Sequence, residues 1–157
     1  MMTRLPLAKS IALLHPVVLT IVWFALSFAA PLPFVLALGM ATICGWAWAI
    51  YVVSVAKAPQ DGQPRWTEWI FVAAPLFAII AEIAGLPTSN SPIAFLMIAS
   101  LLFASWRAAQ ALEYADQQGK PVTAGRIAGT MLLVLFTIVG VWWLRHRIVR
   151  VAGSPAA

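Results

Sequence analysis

Charge is scarce in this chain, with ten Lys and Arg and five Asp and Glu among 157 residues, or 10% of the whole. A soluble domain carries roughly 25%. Hydrophobic residues make up 62%, and the mean hydropathy is +0.91. A water-soluble fold of this length could not cover so much apolar surface, so an aqueous globule is excluded and lipid is the expected solvent.

Other scarcities exclude whole classes of chemistry. Cys44 is the single cysteine and lies within an apolar run, so no intrachain disulfide can form. Only two histidines occur, His15 and His146. A haem held between helices needs two axial ligands at one depth, and the runs described below put these two at opposite ends. No haem, metal or other cofactor is therefore expected. Asp61 and Asp116 read as isolated loop residues, and the sequence contains no HExxH helix, GxSxG elbow, glycine-rich phosphate loop or aspartate-rich motif. A membrane enzyme would need a nucleophile beside a base, and no such pair stands out. The net charge of +5 could suggest nucleic acid. The basic residues are instead spread in twos and threes at the ends of apolar runs, so no nucleic-acid partner is expected.

What the chain does contain is apolar runs of membrane-crossing length, and they predict an all-α polytopic bundle of about five transmembrane helices. It would be a single domain over residues 1–157 with no separate soluble part. The first run spans 11–30, where about 20 residues at 1.5 Å each cover the ~30 Å hydrocarbon layer. An uncleaved span is favoured over a signal peptide ending near Ser27-Phe28-Ala29, because the apolar region is long for a signal and Pro31 crowds the cut. The second run, 34–56, follows Pro31-Leu32-Pro33 and stops at Lys57. The polar loop Ala58–Pro64 comes next. The third, 66–85, opens on Trp66 and Trp69, contains Pro75 as an expected kink, and closes at Gly85-Leu86-Pro87. Ser91 and Pro92 read as the cap and first turn of the fourth run, 93–113. Its helix is expected to continue to 118 and leave the membrane, because Arg107, Gln110, Glu113 and Gln117 recur at spacings of three and four. The fifth, 127–144, ends in Trp142-Trp143 and a basic anchor of Arg145, His146, Arg147 and Arg150.

Five crossings put the termini on opposite sides. A cytoplasmic N-terminus then places Arg4, Lys9, Lys57, Arg65, Arg107, Lys120 and Arg126 inside and Arg145, Arg147 and Arg150 outside. Seven against three favours that orientation, although a basic outer tail is a defect. The expected location is a bacterial cytoplasmic (inner) membrane. A four-span alternative makes one of the first two runs re-entrant around Pro31 and Pro33.

Glu82 is the only carboxylate well inside an apolar run. An unpaired charge there is costly, so the candidate intramembrane ionisable site is Glu82 paired with Arg145 or Arg147 at the outer end of the bundle. Ala37, Ala41, Gly45 and Ala49 form a four-spaced small stripe, and Gly125 and Gly129 a GxxxG. Both are candidates for helix packing or for a seam with a second copy. The expected function is action by contact, as an accessory, assembly or scaffolding subunit, with the bilayer and itself or other membrane proteins as partners. A small proton- or cation-coupled transporter using Glu82 is the alternative, and a membrane-embedded enzyme comes third. The loop after the second run provides the first test. In a Cys44→Ala background, a cysteine at Gln60 should label from the cytoplasmic side and one at Thr88 from the other. Labelling of position 60 from outside alone would reverse the orientation.

Overall fold

A computed structural model of the chain describes residues 4–29, 34–58, 65–86, 91–118 and 120–153. Gln60, Asp61, Thr88 and the Pro31-Leu32-Pro33 turn lie outside the described residues. The fold is all-helical, and its elements are α1 (Leu5–Ala12), α2 (Pro16–Phe28), α3 (Val35–Lys57), α4 (Ile70–Ile83), α5 (Pro92–Asp116), α6 (Ala124–Leu135) and α7 (Thr137–Gly153). A 3₁₀ turn, Arg65–Trp69, leads into α4. Two helices, α3 and α5, are long and apolar enough to cross a membrane, and the bent pair α1–α2 makes a third if it counts as one span.

The first apolar run is broken where its chemistry demands. Pro16 has no N–H, and its ring disfavours helical backbone at the preceding residue. His15 is accordingly extended (φ −64°, ψ 134°), and its Nδ1 accepts a hydrogen bond from the Val17 N–H at 3.3 Å, which caps α2. The two helices meet at a 78° bend. Ala8 and Ala12 then lay α1 across the end of α3. At the start of α5 the expected cap is present: Ser91 Oγ accepts from the Ala94 N–H at 3.3 Å, with Pro92 in the first turn.

The bundle is built around α3. At one end Ala37 and Cys44 pack with Ala74 and Ala78 of α4 and Met97 of α5. Toward the other end, Trp46 to Val53 pack with Phe71 of α4 and with Ala104, Ala108, Ala111 and Ala115 of α5. This order makes α4 antiparallel to α3, and α5 parallel to it. Alanines at the contacts let the backbones approach closely, which is how helices gain packing energy where lipid offers no hydrophobic drive. Tyr51 and Phe71 hold the α3–α4 contact with ring centroids 5.3 Å apart.

The fifth run departs most from expectation. It is not one helix, because Phe136 (φ −85°, ψ 61°) interrupts it and α7 folds back along α6. Thr130 and Arg147 are 17 residues apart, about 25 Å along a straight helix, yet Arg147 Nη1 donates to Thr130 Oγ1 at 3.2 Å. Beyond Leu135 the Val134 carbonyl loses the amide that a continuous helix would offer it. The buried Thr137 hydroxyl replaces that donor at 2.9 Å, so the Val134 carbonyl is not left an orphan acceptor. Gly140 crosses α6 so closely that a Cβ would stand 1.7 Å from the Leu133 carbonyl oxygen. With 12 residues, or about 18 Å, α6 is too short to cross the hydrocarbon layer.

Replacing Gly140 with Val should therefore force the hairpin open, lowering thermal stability in detergent by about 3 kcal/mol. Gly129→Ala is the control, because nothing lies within 4 Å of its Cβ position. It should change stability by less than about 0.5 kcal/mol. Equal effects from the two would refute the close crossing.

Candidate functional site

The hairpin brings three helices together at one end of the bundle, and each contributes polar groups on one face. Glu113 and Asp116 are three apart on α5, Arg126 and Thr130 four apart on α6, and Arg147 and Arg150 three apart on α7. Such spacings align side chains along one helix face. Arg147 is the centre of the group. Its Nη2 is 2.7 Å from Glu113 Oε1 and 3.1 Å from Asp116 Oδ2. Its Nε donates to the same Asp116 oxygen at 3.1 Å, and its Nη1 donates to Thr130. Thr130 in turn donates to Glu113 through a short hydrogen bond. Two outer arginines complete the arrangement, Arg126 Nε at 3.1 Å from Glu113 Oε2 and Arg150 Nη1 at 3.4 Å from Asp116 Oδ1.

The side chain of Glu113 is 1% exposed, that of Asp116 8% and that of Arg147 22%, while the outer arginines are more than half exposed. A carboxylate removed from water this far is tolerable only when paired and hydrogen-bonded. Arg147 suits the position because its fixed fork of donors can serve two carboxylates and a hydroxyl at once, as the point charge of lysine could not. Two carboxylates against three guanidiniums leave one positive charge in excess, on the exposed side. Each acid is ion-paired to Arg147 and to one outer arginine, with Glu113 Oε2 facing Arg126 without a hydrogen bond, so this is the chemistry of a staple between helices. Among the described residues, no group of three His, Cys, Asp or Glu is gathered in a way that could hold a metal.

The sequence-predicted site residues are placed differently from the expectation. Glu82 lies in the last turn of α4 and is exposed. It makes no ion pair with Arg145 or Arg147 among the described residues. The packing order explains why. Glu82 follows Ala78, which packs level with Met97, and Glu113 is 16 residues further along α5, about 24 Å away. Arg147 belongs to Glu113, and Arg145 is half-buried on the same helix. The outward-facing polar row expected on α5 is likewise corrected. Arg107 does bond Gln110 at 2.8 Å, but Glu113 is buried against α6 and α7 and does not face outward. Of the packing candidates, Ala37 and Ala49 are buried and Gly45 is half-buried, while Ala41, Gly125 and Gly129 are exposed. Nothing meets the Cβ positions of the last two, so that GxxxG packs nothing within the described chain. His146 is exposed on α7.

Comparison with known protein families, with characterised proteins and with solved structures gives no match, so no residue role is carried over from a relative.

The staple makes a graded prediction. Removing one member of a buried pair strands the other, so Glu113→Ala or Arg147→Ala should cost about 3–5 kcal/mol in unfolding measured in mild detergent. Arg126→Ala, at the exposed rim, should cost no more than about 1 kcal/mol. Glu82→Gln should be neutral to within about 0.5 kcal/mol. Reversal of that order, with Glu82 the costly site, would return the pairing to the far end of the bundle.

Proposed function

We propose that this is a four-crossing membrane protein that acts by contact, as an accessory, assembly or scaffolding subunit of a membrane complex. The crossings are the bent α1–α2 pair taken as one span, α3, α4 with its lead-in turn, and α5. The α6–α7 hairpin enters from the N-terminal side and returns to it. Two ion pairs support the arrangement: Arg4 Nη1 lies 2.6 Å from Glu68 Oε2, joining the N-terminus to the start of α4, and Arg147 joins α7 to the end of α5. With the hairpin returned, Arg145, Arg147 and Arg150 join the seven basic residues already counted inside, accounting for all ten in the sequence. Ten to none removes the defect of a basic outer tail and supports a cytoplasmic N-terminus. The four crossings come from a re-entrant fifth run, whereas the alternative reading of the sequence made the first or second run re-entrant.

The observation that carries the functional reading is the self-sufficiency of the buried charges. Glu113 and Asp116 are both ion-paired to Arg147, and the other buried polar residues described are Ser54, Thr67, Ser105, Thr130 and Thr137. A transport path normally keeps ionisable groups available along the spans. Glu82, the candidate for that role, sits exposed in the last turn of α4. Much of the outer surface is large and apolar instead, as at Ile21, Phe24, Phe95 and Trp143. That is the surface expected for contact with lipid and with other membrane helices.

Two measurements test this reading. Single cysteines at Lys120 and Gly153, in a Cys44→Ala background, should both label from the cytoplasmic side. Position 153 labelling from outside alone would restore five crossings. Affinity purification in mild detergent should recover a stoichiometric membrane partner. Recovery of the chain alone, together with proton flux in vesicles that Glu82→Gln abolishes, would replace the contact reading by transport.

A further inference from the structure

A cleft of about 970 Å³ runs between α3 and α4, at the upper end of the size of small-molecule sites. Along most of its length it is apolar, with Ala41 and Gly45 on one side and Phe71, Val72 and Pro75 on the other. Nothing lies within 4 Å of the Gly45 Cβ position, so the space over this glycine is not used for packing within the described chain. At one end the lining changes abruptly to Arg4 and Glu68, the two charged residues that line the cleft. Their side chains are 65% and 30% exposed, and their one recorded contact uses a single guanidinium nitrogen and a single carboxylate oxygen. Arg4 therefore keeps donors for a phosphate, and Glu68 keeps an oxygen for an ammonium. Trp48 and Trp69 stand at the same end, as indoles do at the boundary between headgroups and hydrocarbon.

We propose that this cleft binds one phospholipid with a zwitterionic, ammonium-bearing headgroup, its phosphate on Arg4, its ammonium on Glu68 and one acyl chain over Gly45. The charge pattern argues for that class over an anionic lipid. A cationic site alone would select any phosphate, whereas a carboxylate beside the arginine repels a purely anionic head and rewards an adjacent positive charge. The proposal rests on the membrane orientation given above, because the paired charges must lie at the headgroup level.

The test uses the full chain, purified and exchanged into nanodiscs of phosphatidylethanolamine and phosphatidylglycerol, with retained lipid counted by native mass spectrometry after release into mild detergent. The parent should retain one phosphatidylethanolamine in preference to phosphatidylglycerol. Gly45→Leu, which fills open space and should leave folding intact, should lose that lipid. Glu68→Gln should weaken the headgroup preference about tenfold while still binding lipid, the loss expected for one charge-assisted contact. Equal retention by the parent and Gly45→Leu overturns the proposal, as does a preference unchanged in Glu68→Gln. A drop from dimer to monomer mass in Gly45→Leu overturns it too, and identifies the occupant as a second copy. If the cysteines at 120 and 153 still label from the cytoplasmic side in those cases, only the lipid assignment falls.

Discussion

The arrangement at this end of the bundle depends on one guanidinium. Arg147 touches two carboxylates of α5 and a hydroxyl of α6, and without those contacts α7 would have little reason to turn back at Phe136. Many of the residues on the hairpin are apolar, and in lipid such residues lose nothing by facing outward. The electrostatic interaction therefore does what the hydrophobic effect does in water. It selects one of several equally greasy arrangements, and it does so because a lone buried carboxylate would be far more costly than a paired one.

The backbone of the hairpin obeys the same constraint. A break inside an apolar run exposes carbonyls and amides that water cannot reach, and every such group needs a partner from the protein. Thr137 supplies one from its side chain, and Gly140 gives up a side chain so that the returning helix can cross. These two positions and Arg147 act on one event from three directions: acceptor satisfied, clearance made, charge matched.

Helix class and most helix positions were legible in the sequence because hydrocarbon leaves so few options. Long apolar stretches bounded by turn formers and charge must be helices, and Ser91-Pro92 marks a start that the fold keeps. The hairpin was not legible by the same means. Phe136 is neither glycine nor proline, and Thr137 is an unremarkable residue within a span, so the run 127–144 has the length and hydropathy of a crossing. Glu113 was misread for a related reason. A polar row at spacings of three and four looks the same whether water or another charged helix covers it. The information was nonetheless present, in two acids on α5 matched to Arg147 and Arg150 at the same spacing on α7 and to Arg126 on α6. Only a comparison of charge patterns between segments, beyond the pattern within each, could have revealed it.

The order of the pieces along the chain has a consequence for biosynthesis. Glu113 and Asp116 leave the ribosome before any of the arginines that neutralise them, and Arg147 follows Glu113 by 34 positions. Until Arg126 is made, 13 positions after Glu113, the end of α5 carries two carboxylates with no cation from α6 or α7 beside them, a state better suited to the aqueous face than to the bilayer. That end of the bundle can close only after Arg147 has been made. A nascent chain stalled before Arg126 would present an unmatched acidic pair, a feature by which cellular surveillance could distinguish an unfinished copy from a folded one.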